Sequence, residues 1–227
     1  MTTEYHFDSR AAASVAAADC IAEHLSARLD LDTKAAFVVG GGTTPGACFA
    51  SLSARKLDWK NITIALSDER WVAPDHADSN EGLIEGELRT NAAASANVLS
   101  IYQTSTTVEE RCLALQADYP ALGFACAMVG MGGDGHFASL FPDATNLGDG
   151  LRSDNERLYM PVRTAASPHP RVSMTLAALL RSDEIILLFF GDEKRAVFEA
   201  ALGGDESYPV YHLLQQSDTP VRVYWAP

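Results

Sequence analysis

The sequence predicts an α/β fold: a modified doubly wound, Rossmann-like, mainly parallel sheet with helices on both faces, forming a single domain over residues 1–227. Three observations predict it. Short, predominantly apolar runs recur at 35–39, 62–66, 124–129 and 184–190. Runs of that kind, without polar alternation, read as strands buried on both faces of a parallel sheet. Segments with apolar residues at helical spacing lie between them. The stretches rich in glycine or charge fall directly after strands, where ligands bind in such sheets.

Ser9 to Leu29 reads as the opening helix, capped by Ser9, with Val15, Ala18, Ile21, Ala22 and Leu25 on one face. Ala35 to Val39 is a buried strand ended by glycines, and a helix starts at Pro45, a favoured first-turn residue. Ile62 to Leu66 is the next strand, followed by Ser-Asp-Glu-Arg-Trp. Ser79 to Leu88 is helical, Val98 to Tyr102 a strand and Val108 to Asp118 a helix. Phe124 to Val129 is a buried strand ending in a glycine-rich turn. Asn146 to Asn155 is polar and reads as a loop. Leu158 to Val162 is an edge strand limited by Pro161. Thr175 to Leu180 is a helix, and Glu184 to Phe190 is the clearest strand. Asp192 to Leu202 is a helix closed by Gly203-Gly204, Pro209 to Gln216 a short helix and Val221 to Trp225 the last strand.

With 47% hydrophobic residues the chain can bury a full core, so it is not a disordered protein. Thirty acidic against 17 basic residues give a net charge of −13, which argues against a nucleic-acid binder and against adhesion to an anionic membrane. The longest aliphatic-aromatic run, Ile185 to Phe190, is far short of the ~20 residues of a helical crossing. The N-terminus lacks the basic start and apolar stretch of a signal peptide. Cys20, Cys48, Cys112 and Cys126 form no C-x-x-C pair, so buried thiols in a cytoplasmic protein are expected.

Three segments carry chemistry. Gly40-Gly-Gly-Thr-Thr-Pro45 joins a strand to a helix, so the backbone N–H groups of Gly41 and Gly42 and the hydroxyls of Thr43 and Thr44 can face a phosphate. A tight turn alone needs glycine torsions, but not three glycines followed by two threonines. Gly130-Met-Gly-Gly-Asp-Gly135 spells a dinucleotide motif. That reading fails because Pro142 stops the required long helix and Asp134 would repel a pyrophosphate. What remains is a turn presenting Asp134 and His136, a carboxylate able to orient a general base. His6, His24, His76, His169 and His212 read as solvated or packed rings. Arg70, Arg171 and Lys194 follow strands or stiff prolines and suit an anionic ligand, although each alone reads as a solvated charge. No nucleophile elbow, H-E-x-x-H or zinc spacing is present, so neither a metal nor a cofactor is expected.

At these residues the chain resembles the 6-phosphogluconolactonase family of the pentose phosphate pathway. Gly41-Gly-Thr-Thr-Pro45 looks like that family's Gly-Gly-Ser-Thr-Pro loop. Asp68-Glu-Arg-Trp-Val72 with Asp78-Ser-Asn80 is similar to its Asp-Glu-Arg segment and downstream Ser-Asn. Gly130 to Pro142 resembles its signature, Pro170 to Thr175 its Pro-Arg-Ile-Ser-Leu-Thr, and Gly191 to Lys194 its Gly-x-x-Lys. Gly40 departs from the usual Ser and Phe137 from the common Thr. The chain also stops at Pro227, short of an acid often found after the last strand.

The resemblance implies hydrolysis of a sugar-phosphate lactone, 6-phospho-D-glucono-1,5-lactone, by a monomer or weak homodimer with no nucleic-acid or membrane partner. His136, Asp134 and Arg70 form the expected catalytic set. Gly41, Gly42, Thr43, Thr44, Asp68, Gly132, Gly133, Ser139, Arg171 and Lys194 form the expected substrate- and phosphate-binding set, with Asp68 and Glu69 also bracing Arg70. The related glucosamine-6-phosphate deaminases share Gly-x-Asp-Gly-His but continue Ile-Ala-Phe-Asn-Glu-Pro. Here the continuation is Phe137-Ala-Ser-Leu-Phe-Pro142, which favours the lactonase. A non-catalytic sugar-phosphate sensor is the remaining alternative, usually marked by a DNA-binding helix pair that is not visible here.

Overall fold

The computed structural model describes residues 1–118 and 123–227. The chain opens with β1 (Thr2–His6) and α1 (Arg10–Leu31). Then come β2 (Ala35–Val39), α2 (Gly46–Ser53), β3 (Ile62–Leu66), β4 (Asp68–Arg70), α3 (Asn80–Glu87), β5 (Asn97–Leu99) and α4 (Val108–Asp118). The second half carries β6 (Ala127–Val129), α5 (Leu147–Gly150), β7 (Tyr159–Val162), β8 (Arg171–Met174), α6 (Leu176–Leu179), β9 (Ile185–Phe190), α7 (Asp192–Leu202), α8 (Val210–Gln215) and β10 (Val221–Ala226).

The main sheet runs β1-β10-β9-β6-β2-β3-β5, with every neighbouring pair parallel. Helices flank it, as the alternation of strands and helices predicts. The unbroken apolar runs form its centre: every residue of β2 is buried, and Phe37, Ile64 and Leu187 are fully enclosed. Each such side chain contributes about 1.5–3 kcal/mol of burial. In α1 the Ser9 hydroxyl accepts from Ala12 N at 3.2 Å, and the buried face centres on Ala17, Ile21 and Leu25. Val15, expected on that face, points to solvent.

The connections turn outward from the centre. After β2 the chain moves to β3 and β5. After β6 it moves the other way, to β9 and β10. The loops after β2 and β6 therefore emerge side by side where the winding reverses, and a crevice opens there between the strands' carboxyl ends. Gly40 N donates to Met128 O at 2.9 Å across this junction.

Four expectations are corrected. β1 comes from the polar Thr-Thr-Glu-Tyr-His segment, which shows no apolar pattern and becomes a strand by pairing along β10. A second, antiparallel sheet, β4-β8-β7, stands at the carboxyl end of β3. It takes in the edge strand expected near 158–162, together with β4 and β8, for which the sequence predicts no strand. Met174 N donates to Ser67 O and Tyr159 Oη to Leu66 O, both at 2.7 Å, tying this sheet to β3. The fifth strand is Asn97–Leu99 rather than 98–102. The stretch read as a loop over 146–155 contains the single turn α5.

Candidate active site

The crevice holds a cavity of about 490 Å³. Gly41, Gly42, Thr43 and Thr44 line it from the β2–α2 loop. Asp68 and Arg70 come from β4, and Gly132, Gly133, Asp134 and His136 from the turn after β6. Arg171 enters from β8 and Lys194 from the first turn of α7. Ser139 is the one expected binding residue outside the lining. It is fully buried beneath, and its Oγ donates to Asp68 Oδ2 at 2.6 Å and accepts from Arg171 Nη1 at 3.2 Å.

His136 Nδ1 lies 2.5 Å from Asp134 Oδ1, and the ring is 28% exposed, enough to meet a ligand. A carboxylate there calls for the proton on Nδ1, which leaves the lone pair on Nε2. Partial burial would raise the Asp134 carboxyl, but the hydrogen bond and charge of His136 outweigh it and hold Asp134 below the usual aspartate range. Gly132 makes the pair possible. A Cβ at 132 would lie 2.2 Å from His136 Nδ1 and 2.6 Å from Asp134 Oδ1. Phe141 lies against the imidazole, tilted by 31° with 4.1 Å between centroids, and the Arg171 guanidinium sits over the Phe141 ring at 5.1 Å.

The cationic side has a built foundation. Arg70 and Arg171 are direct partners across β4 and β8. Like charges placed opposite one another are costly without an anion between or beside them. Arg70 Nη1 donates to Asp78 O at 2.5 Å, and Arg171 Nη1 stands 3.6 Å from Asp68 Oδ2. Burial lowers the Arg171 pKa, which the charge of Asp68 partly restores. Asp68 spends its oxygens on Ser67, Ser139 and Arg171. Glu69 is fully enclosed and accepts from Arg70 N, Asn80 N, Glu81 N and the Ser79 hydroxyl. Burial pushes its carboxyl up and these donors oppose the rise. Glu69 therefore braces Arg70 and the start of α3. Lys194 is half-buried, which lowers its ammonium, while nearby Asp134 opposes the shift.

Ser67, Asn80, Phe141 and Ala166 also line the cavity and were not expected to. For Asn80 a signal existed in the Asp78-Ser-Asn80 motif. Its Nδ2 donates to Asp68 O at 2.9 Å, and its side chain packs so closely on Gly41 that a Cβ there would be 2.0 Å from Oδ1. Among the described residues two groups of side chains converge as a metal's ligands would: Cys20, His24 and Glu184, and His76, Asp78 and His169.

A family model described as glucosamine-6-phosphate isomerases/6-phosphogluconolactonase matches residues 8–225. The chain belongs to this family. Relatives that it resembles at 30% identity or more include proteins named 6-phosphogluconolactonase. A 6-phosphogluconolactonase of Pseudomonas putida is 37% identical, over 97% of this chain and 90% of its own length. One of Mesorhizobium japonicum is 34% identical, over 97% and 94%. The crystal structure of a 6-phosphogluconolactonase from Shewanella baltica superimposes with a TM-score of 0.95 at 32% identity, covering 100% of this chain and 98% of that one. The fold of this family member is thus that of solved lactonases along its whole length.

Proposed function

We propose that this protein is a 6-phosphogluconolactonase, hydrolysing 6-phospho-D-glucono-1,5-lactone to 6-phosphogluconate with His136 as general base. The observation that carries the mechanism is the His136–Asp134 pair, whose Nε2 has no hydrogen-bond partner among the described residues, in one cavity with the Gly41–Thr44 loop and three cations. His136 Nε2 takes a proton from water as the water oxygen adds to C1. The carbonyl electrons move to the oxygen, which meets backbone N–H groups of the Gly130–Gly135 turn or Arg70. Losing one such donor typically costs ~3 kcal/mol. The C1–ring oxygen bond then breaks, and the imidazolium returns its proton to the departing oxygen. Asp134 holds the imidazole in the required tautomer.

The 6-phosphate rests on Gly41, Gly42, Thr43 and Thr44, with Arg171 and Lys194 closing on it. Seating that remote charge orients C1 and contributes to rate as well as affinity. A lactone is an activated ester, so this route calls for neither a metal nor an acyl-enzyme. Among the deaminases of the family a carboxylate follows the shared histidine. Ala138, Ser139, Leu140 and Phe141 offer none here.

The test is turnover of freshly made lactone, corrected for spontaneous hydrolysis. His136→Ala should lose most of kcat, since a positioned general base supplies ~10²–10⁴-fold. Arg171→Ala should mainly raise KM. EDTA should leave turnover intact. A His136→Ala protein with unchanged kcat overturns the mechanism.

A further inference from the structure

Outside the residues that line the cavity, the segments next to Arg70 and Arg171 in sequence carry a second grouping of donors. His76 and Asp78 lie on the loop between β4 and α3, and His169 on the loop leading into β8. Both histidines direct a ring nitrogen at one oxygen, Asp78 Oδ2: His169 Nε2 at 3.0 Å and His76 Nδ1 at 3.8 Å. All three donor atoms lie within 4.8 Å of one another, and the side chains remain 26–53% exposed. We propose that His76, Asp78 and His169 form a binding site for a zinc-class divalent transition metal, which clips together the two loops that hold Arg70 and Arg171.

The donor set argues for the class of ion. Two imidazoles and one carboxylate suit zinc, nickel or copper, whereas magnesium and calcium want oxygen throughout. The exposure leaves room for water as a fourth ligand. The nearby Arg70 does not compete for the carboxylate, because its Nη1 donates to the Asp78 backbone carbonyl. The ion would replace two hydrogen bonds: the one between His169 Nε2 and Asp78 Oδ2 at 3.0 Å, and the one that Asp78 N–H donates to His76 Nδ1 at 3.0 Å. The first gives way to two bonds to the metal, and the freed N–H lies at the surface where water can take the place of its partner. The other grouping fails the same examination. Glu184 Oε2 already holds Arg222 Nε at 2.8 Å, and Arg222 Nη1 reaches Cys20 Sγ at 3.8 Å, so a resident guanidinium fills the cation's place.

The proposal does not rest on the lactone chemistry, and its test does not read activity. Chelator-stripped full-length protein is titrated with Zn²⁺ against a chromophoric competitor, and thermal melts are recorded with and without the ion. One Zn²⁺ per chain and a rise in Tm are expected, with Mg²⁺ unable to substitute. Loss of an outer-sphere partner alone costs ~10–100-fold in metal affinity, so His169→Gln and His76→Gln should each weaken binding by at least that much. The two variants lie on different exposed loops, so a folding defect in one leaves the other informative. Cys20→Ser should bind zinc as the wild type does. Absence of zinc uptake, or uptake indifferent to both histidine variants, overturns the proposal; loss in Cys20→Ser would instead place the ion at Cys20, His24 and Glu184.

Discussion

Gly132→Ala tests the placement of the imidazole without touching it. The glycine does not sit in the left-handed region, so the backbone accepts alanine. The new methyl would nevertheless lie 2.2 Å from His136 Nδ1, where ordinary contact begins at 3.4 Å. The ring must retreat by about 1.2 Å, and the 2.5 Å bond to Asp134 cannot survive that. A misplacement of ~1 Å can cost ~10²-fold in rate, or about 2.7 kcal/mol of barrier. A kcat loss of ~10²-fold is therefore expected, with KM little changed because Thr43, Thr44 and Arg171 are undisturbed. The fold should tolerate the change. The atoms in the way are the ends of two partly exposed side chains that can swing into the cavity, and such substitutions usually stay within about 0.5 kcal/mol. Hydrolysis of fresh lactone by pH-stat, with a thermal melt of the same preparation, decides it. Full turnover in a folded Gly132→Ala protein would refute the placement argument.

Two further outcomes follow from the same geometry. Ser139→Ala removes the donor to Asp68 Oδ2 and the acceptor of Arg171 Nη1. Leaving a buried group short of a partner costs roughly 1–3 kcal/mol, so calorimetry should find a lower Tm and steady-state assays a higher KM; if both stay put, Ser139 is not the underpinning described. Asp134 has a folded pKa below its ordinary value, so its contribution to stability is present above the usual aspartate range and fades as pH falls through the lowered value. The Tm gap between wild type and Asp134→Asn should narrow on acidification, and a widening gap contradicts the pairing.

The central strands were legible because burial on both faces demands unbroken apolar runs, as in Ala35–Val39 and Ile185–Phe190. β4 and β8 were not. Asp68-Glu-Arg70 contains no apolar residue, and its extension is imposed by pairing with Arg171 to Ser173. The post-strand rule found the loops that line the cavity, because the reversal between β2 and β6 brings two of them together. It could not find Phe141 or Asn80. Phe141 faces His136 and Arg171 only once the turn after Gly135 has folded back, and Asn80 reaches the cavity because Ser79 starts α3 against Glu69. Ser139 shows the opposite limit. A motif names it, yet whether it touches ligand or supports those that do depends on depth, which spacing along a chain does not encode.

The facing of Arg70 and Arg171 across two short strands gives ligand occupancy a mechanical side. A sugar phosphate that met Arg171 through its phosphate and Arg70 through its C1 oxygen would act as a removable staple between chain segments that are remote in sequence, and it would stabilise the native state by mass action. Resistance to proteolysis should then rise throughout the intervening polypeptide when a phosphorylated sugar acid is present, well beyond the surface it covers.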